Sequence, residues 1–592
     1  MSGAEPGKHA MGLERLPKNL VSVYSKAGLS LAKGTRSFHQ HIPFNRVRLT
    51  GGMLAQRNAA NRSGTIPAVY DRFKQTGRID AFRLQWKPGE LPEPNCAWDS
   101  DVAKWVGAAA YSLMTNPDPR LEKLLDEVVD LIIGAQQPDG YLSLYYTMVE
   151  PEGRWKNLRD THELYCAGHL FEAAVAHHKA TGSRKLLEAM ERYADYIYRV
   201  FGSGDGQKRG YCGHEEVELA LVKLYEATGD DRYLKLAEYF VVERGATPHY
   251  FDQEAIARGD DPKDYWAKTY AYCQAHQPVR EQSEMVGHSV RAMYLYAAMA
   301  DLVRHTGDSE LLEACRRLWD DLARGKIYLT GGIGSSRSNE GFTHAYDLPN
   351  LSAYAETCAS IGLVYWSHRM LQKDLDSRYA DTLELALYNG VSASVSLDGR
   401  QFNYVNPLGS DGQHHREEMF GCACCPPNIA RLFASVGEYY YIQDEGSIAV
   451  QLYGASEITA SLGNSEITIR QETEYPWDGT VKLTVECASD ACFDLWLRIP
   501  GWCERHTITV NGEVVQVEGK AGYAVLARTW HSGDMVELVM EMPVRLTEAH
   551  PYIEENRGCL ALCRGPIVYC IEQVDHTADI RALRLNSDSE FT

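Results

Sequence analysis

Ala227-Thr228-Gly229-Asp230-Asp231-Arg232-Tyr233-Leu234-Lys235-Leu236-Ala237 decides the fold, because the unit it belongs to recurs. The other copies are Ala180-Thr181-Gly182-Ser183-Arg184-Lys185-Leu186-Leu187-Glu188-Ala189 and His305-Thr306-Gly307-Asp308-Ser309-Glu310-Leu311-Leu312-Glu313-Ala314-Cys315. In each copy a helical stretch runs into a glycine, a Ser or Asp follows, and helical spacing resumes. Glycine ends a helix because it adopts the left-handed backbone without a Cβ penalty. Ser or Asp opens the next helix by accepting from its free N–H groups. Each unit is therefore a helical hairpin, and hairpins repeated along one chain build an array or a closed toroid. About a dozen helices without obvious capping repeats suit an (α/α)6 barrel, with a solenoid as the other arrangement.

Working outward, helical spacing holds from about Cys96 to Tyr441, with Asp99-Ser100-Asp101 as a capped helix start ahead of Val102. After Tyr441 the period becomes two. Ile448–Tyr453, Ile467–Ile469, Val481–Val485 and Leu495–Pro500 read as strands, and Thr507–Val515 as a hairpin turning at Asn511-Gly512. A short strand is also expected at Val47-Arg48-Leu49-Thr50. The predicted class is multidomain α+β: an (α/α)6 barrel followed by an antiparallel β-sandwich region. Residues 1–40 read as a flexible N-terminal segment, 41–443 as the barrel and 444–545 as the sandwich. Residues 546–592 read as a C-terminal β segment and tail, an incomplete second sandwich.

The 592 residues carry a net charge of −20, which disfavours nucleic acid and anionic membranes as partners. The 15 cysteines are odd in number and irregularly spaced, so most read as reduced and buried. No secretory signal and no membrane-spanning run are evident, and the expected location is cytoplasmic.

The chemistry concentrates in Gly421-Cys422-Ala423-Cys424-Cys425-Pro426-Pro427-Asn428. Packing alone does not account for these cysteines followed by two prolines. The prolines are expected to hold the thiols in a rigid extended turn, with Asn428 as the N-cap of the helix that follows. Cys424 and Cys425, joined by Glu356 and Cys358, make a three-sulfur, one-oxygen set suited to zinc. Residues i and i+2 do not share a helix face, so Glu356 and Cys358 belong in a turn or at a helix start. A structural zinc, or inert buried thiols, accounts for the same residues. His162, His214 and His288 open repeated helices, whose starts in a toroid face one end and form a funnel there. Glu340 lies in the Gly- and Ser-rich loop Gly331–Phe342, where a carboxylate is a candidate acid/base or a solvated surface group. Tyr404 is either a sugar-binding hydroxyl or a buried strand tyrosine.

Gly287-His288-Ser289-Val290-Arg291, Asn339-Glu340-Gly341-Phe342, Ala355-Glu356-Thr357-Cys358 and Cys422–Asn428, in that order, resemble glycoside hydrolase family 127, the β-L-arabinofuranosidases. The resemblance implies an (α/α)6 catalytic domain with β-sandwich domains. It implies a Zn2+ site of Glu356, Cys358, Cys424 and Cys425, with Cys424 as nucleophile and Glu340 as acid/base. It places His162, His214, His288 and Tyr404 against the sugar. The function expected is a zinc-dependent retaining exo-glycosidase that hydrolyses terminal β-L-arabinofuranosides through a cysteine thioglycosyl intermediate. The partner is then a small carbohydrate, an arabinofuranoside, and a homodimer is the candidate assembly. One rival is an (α/α)6 enzyme of other sugar specificity, an epimerase or an unsaturated uronyl hydrolase. Another is a non-catalytic sugar-binding protein with a structural zinc.

Overall fold

The computed structural model describes residues 39–463 and 465–585. The N-terminal segment expected to be flexible lies, but for its last two residues, outside the described residues. Six helices pack in a closed cycle: Trp98–Thr115, Glu163–Thr181, Val217–Thr228, Ser289–Thr306, Thr357–Lys373 and Cys425–Ala434, the last returning to the first. Helices outside the cycle flank its members: Ile66–Gln75, Pro119–Ala135, Lys185–Val200, Asp231–Glu243, Ser309–Gly325 and Ser377–Leu385. Burial separates the two sets. Every residue from Ser289 to Val303 in the cycle is buried, as expected of a helix enclosed on all sides. In the flanking Lys185–Val200 helix only one face is buried, carried by Leu186, Leu187, Met190, Tyr193, Ala194 and Ile197.

The recurring unit works as its chemistry predicts in two copies; in the third the N-cap residue is Arg184 and not Ser183, and no side chain caps the helix. Gly182, Gly229 and Gly307 end their helices at φ 71°, 74° and 73°. Asp230 then accepts from the Arg232 N–H, and Asp308 from the Glu310 and Leu311 N–H groups. The Asp99-Ser100-Asp101 start differs: the helix already begins at Trp98, so both carboxylates lie in its first turn. Asp99 accepts from the Leu144 N–H at 3.1 Å, and Asp101 pairs with Arg78 at 3.0 Å.

Among the described residues, the β-region holds two large sheets. One runs Gln40–His41, Tyr441–Gln443, Ser447–Val450, Ala491–Arg498, Tyr523–Trp530, Glu518–Lys520. The other runs Glu513–Val514, His506–Val510, Asp534–Met540, Thr480–Cys487, Ser465–Thr473, Ser456–Leu462, Val47–Leu49. The region is not wholly antiparallel, because Ser447–Val450 and Ala491–Arg498 pair in parallel. Between these two strands the chain passes through the other sheet and returns in its original direction. The Asn511-Gly512 turn is present with both residues at positive φ, as a two-residue hairpin requires. The early strands Gln40–His41 and Val47–Leu49 add to one sheet each, so the chain entering the helical region is held by the β-region. A third sheet of Val544–Glu548, Leu560–Arg564 and Ile567–Val568 follows. Among the described residues, no helix is long and apolar enough to cross a membrane.

Arg498 joins the β-region to the helices. Its guanidinium is fully buried, lies 2.6 Å from Asp381 Oδ1, contacts Glu384, and donates to the Gln451 carbonyl at 2.6 Å. Tyr475 donates to the same Glu384 at 2.7 Å. Breaking a buried pair strands its partner charges, at a cost of about 3–5 kcal/mol. Arg498→Ala is therefore expected to lower the unfolding free energy by about that amount. Thermal melts are expected to show the β-region separating from the helices, whereas an unchanged melting temperature would deny Arg498 this role.

Candidate active site

Cys425-Pro426-Pro427-Asn428 is the first turn of the Cys425–Ala434 helix, and Cys424 is its N-cap residue with helical φ and ψ. This corrects two expectations, the extended turn and the Asn428 cap. The first turn of a helix has no use for its N–H groups, so consecutive prolines fit there. Asn428 is instead buried inside the helix and donates to Tyr294 Oη at 3.0 Å. Glu356 is the N-cap residue of the Thr357–Lys373 helix, and Cys358 sits in its first turn. The non-sharing i and i+2 residues are thus reconciled by a helix start.

These two helix starts bring the four donors together. The ligand atoms of Glu356, Cys358, Cys424 and Cys425 all lie within 4.8 Å of one another. Cys358 Sγ is 3.4 Å from Cys425 Sγ, and Cys424 Sγ is 3.6 Å from Cys425 Sγ. Glu356 Oε1 lies 3.5 Å from the Cys424 sulfur and 3.8 Å from that of Cys425. Glu356 Oε2 is buried without a hydrogen-bond partner. Burial, then the Cys424 sulfur, pushes the Glu356 carboxyl well above its ordinary range. Burial, then Cys358 and Cys424, does the same to the Cys425 thiol. Four acidic donors crowded in a dry interior resist ionising together, and a cation placed among them removes that resistance. The cluster is a candidate metal centre. Cys424 is its one partly exposed member, and its sulfur lies 3.4 Å from Tyr404 Oη. Tyr404 lies in a half-buried loop and not in a strand.

Glu340 is presented by a two-strand ladder, in which Gly287–His288 pairs with Gly341–Phe342. A Cβ on Gly341 would stand 1.7 Å from the Gly287 carbonyl oxygen, so only glycine allows this approach. Glu340 itself takes φ 51°, a left-handed conformation that costs a non-glycine residue about 1–3 kcal/mol. Its carbonyl accepts from both the N–H and the hydroxyl of Ser289 at 3.1 Å, which holds the strained residue in place. On the carboxylate, Tyr272 donates to Oε2 at 2.9 Å and Tyr354 to Oε1 at 3.0 Å, while His288 Nε2 lies 3.4 Å from Oε2. His288 Nδ1 accepts from the Val290 N–H, so the proton of the neutral ring sits on Nε2 and faces Glu340. Burial would raise the Glu340 carboxyl, but these donors overcome it and bring it down to about 2.

The three histidines lie side by side, His162 to His214 at 5.6 Å and His214 to His288 at 5.5 Å between ring centroids. Burial and the Arg291 cation lower the His162 imidazole to about 3, and the same two causes take His214 well below its ordinary value. Burial lowers His288 as well. The row therefore offers neutral imidazoles, which can donate or accept toward hydroxyl groups. Tyr354 joins the parts: it donates to Glu340, and its ring lies 6.4 Å from that of Tyr404, which touches Cys424.

Every residue singled out from the sequence thus falls in one connected site. Sequence reasoning missed Tyr272 and Tyr354. Tyr354 lies two residues before Glu356 and was within reach of the motif, whereas Tyr272, in the Tyr270–Cys273 turn, carries no local signal. A second group, His169, Glu172 and Glu216, is also close enough to share an ion. There Lys223 and Arg431 already pair with Glu172, and Arg431 bonds Asn428 at 2.9 Å. That group is read as an ion network that fixes the cysteine-bearing helix from below.

Replacing Tyr272 or Tyr354 by Phe removes a donor from the ionised Glu340. A carboxylate that loses such a donor is a weaker acid, so its pKa rises from about 2 toward the ordinary value. Carboxyl titration followed by isotope-edited infrared spectroscopy is expected to show Glu340 protonating at higher pH in each variant. An unmoved titration would deny these hydroxyls their role.

Known proteins resemble the chain over most of its length. The model for the β-L-arabinofuranosidase GH127 catalytic domain matches residues 46–438, the GH127 middle domain 447–542, and the glycoside hydrolase family 127 C-terminal domain 544–592. A non-reducing end β-L-arabinofuranosidase of Bifidobacterium longum subsp. longum is 40% identical over 512 residues, covering 82% of this chain and 77% of that protein. The crystal structure of a GH127 β-L-arabinofuranosidase from Geobacillus stearothermophilus T6 gives a TM-score of 0.89 at 49% identity, covering 92% of this chain and 89% of that one. A second solved GH127 β-arabinofuranosidase gives 0.86 at 39% identity, covering 92% and 87%.

Proposed function

Because the chain belongs to glycoside hydrolase family 127, we propose that it is a zinc-dependent retaining exo-glycosidase that removes terminal β-L-arabinofuranosyl groups. The closed helical cycle is read as an (α/α)6 barrel that carries the site at one end. The named activity of the Bifidobacterium and Geobacillus relatives supports the sugar. The observation that carries the mechanism is the exposure of Cys424, the one donor of the four that a substrate can reach.

The donor set fits zinc. Metal–sulfur bonds of about 2.3 Å in a tetrahedron set sulfur–sulfur edges of about 3.8 Å. The separations of 3.4 and 3.6 Å between cluster sulfurs are close to such edges. Glu356, Cys358, Cys424 and Cys425 would hold the ion, and bound zinc keeps its sulfur donors as thiolates at neutral pH. The chain's own residues then act in sequence. Cys424 Sγ attacks the anomeric carbon, and the bond to the leaving oxygen breaks as Glu340 gives that oxygen a proton. Glu340, now a carboxylate, takes a proton from water, whose oxygen displaces Cys424 and restores the configuration. His288, Tyr272 and Tyr354 stabilise the carboxylate form that this second step requires. The neutral His162 and His214 are placed to bond the sugar hydroxyls, with Tyr404 beside the nucleophile.

Cys424→Ser is expected to keep the fold and to lower turnover of p-nitrophenyl β-L-arabinofuranoside by on the order of 10⁴-fold or more. Full activity in that variant would transfer the chemistry to carboxylates, as in the epimerase-like rival. Glu340→Gln is expected to cost about 10²–10⁴-fold on alkyl arabinofuranosides, and far less on p-nitrophenyl ones, whose leaving group needs no proton. Equal losses on both substrates would remove Glu340 from the acid role. Metal analysis of the purified protein is expected to find zinc that is lost in Cys358→Ser; a full zinc complement in that variant would exclude this ligand set.

A further inference from the structure

Trp266 stands at the edge of the site and has no part in the chemistry above. The residue is 55% exposed, a costly placement for the largest apolar ring. Trp477 is also more than half exposed, but it lies in the β-region. Trp266 is instead packed against Tyr272, with ring centroids 4.6 Å apart and planes at 72°. Tyr272 is the residue that donates to Glu340 Oε2. One tyrosine therefore separates the exposed indole from the carboxylate assigned to the leaving oxygen.

The segment around it is rigid. The Lys268 N–H bonds the Tyr265 carbonyl at 3.0 Å, which makes Tyr265–Lys268 a tight turn with Trp266 at its tip. Tyr265 is buried beneath, with the Arg159 guanidinium 4.3 Å from its ring centroid. Tyr265 stacks on Tyr270 at 5.6 Å, and Tyr270 on His249 at 4.0 Å with planes within 10°. Tyr270 also donates to Asp252 Oδ1 at 2.6 Å. An exposed aromatic ring held on an ordered stack meets a ligand without first losing conformational freedom. The face of a sugar ring is a row of C–H groups, and an indole is a matching apolar surface with a negative face.

We propose that Trp266 is the platform for the leaving group, and that the leaving group it selects is a second sugar ring. The assignment rests on the reading of Glu340 as the acid at the leaving oxygen. Trp266 neither donates nor accepts a proton in the reaction; it sets which glycosides are cleaved efficiently.

The test compares two substrates that share the transferred sugar, methyl β-L-arabinofuranoside and a β-L-arabinofuranosyl disaccharide. For Trp266→Ala, kcat/KM on the disaccharide is expected to fall about ten-fold more than on the methyl glycoside, mostly through KM. Trp266→Phe keeps an aromatic face and is expected to recover part of that difference. Equal losses on both substrates would mean that Trp266 acts only by supporting Tyr272, which overturns the proposal. Equal retention on both would overturn it as well. A wild-type protein inactive on both substrates, though folded and zinc-loaded, would overturn the underlying glycosidase reading and this proposal with it. A wild type active on both, with no difference between the variants, would overturn the platform alone.

Discussion

The structure depends on keeping four acidic side chains together, all but Cys424 out of water. Glu356 and Cys358 open one helix, Cys424 and Cys425 open its neighbour in the cycle, and three of the four are buried. Helix N-termini carry partial positive charge, which favours anionic donors there. That half-charge is too small to hold several thiolates and a carboxylate ionised in a dry interior, and burial accordingly pushes Glu356 and Cys425 toward their neutral forms. A cation held there, as proposed, would complete the charge balance. The helical cycle supplies the geometry, because the starts of two neighbouring helices of the ring meet at this site. His162 and His288 are N-cap residues of two further members of that ring. The candidate metal donors, His162 and His288 thus share one topological cause, the start of a helix in the ring.

This explains why so much was legible in the sequence. Gly182, Gly229 and Gly307 announced the hairpins because a left-handed cap is a local demand of the backbone, met by few residues. The cysteine cluster was legible because no packing role asks for that composition. What escaped was non-local. Asn428 resembles a cap by type, yet the prolines ahead of it already suit a first turn, and its partner Tyr294 is distant in the chain. The parallel pairing of Ser447–Val450 with Ala491–Arg498 leaves no trace in either strand, since alternation reports burial and not direction. Tyr272 reaches Glu340 from a turn 68 residues earlier in sequence, and only the fold brings them together.

The same distinction applies to the polar groups under the site. His169, Glu172 and Glu216 imitate a metal centre in residue type and spacing. They differ from the cysteine cluster in that one of them, Glu172, already has its cations, Lys223 and Arg431. Residue identity proposes a ligand set, but charge balance decides whether an ion is needed.

Glu340 shows how the site divides its work. Three donors hold it as a carboxylate in the free protein. In the proposed mechanism, that form suits the step in which Glu340 takes a proton from water. The earlier step needs the same oxygen protonated, and His288 is poorly placed to supply the proton. Its Nδ1 is occupied by the helix N-terminus, and burial opposes the doubly protonated ring. The balance must therefore shift when sugar enters. Substrate excludes water from the carboxyl, and its hydroxyls compete for Tyr272, Tyr354 and His288 as partners. Both effects raise the Glu340 pKa, the first by desolvation and the second by removing donors. The donors that depress the carboxyl in the free site can be drawn away by substrate, so in the proposed mechanism the acid would form on binding and the base would return once the leaving group has taken its proton.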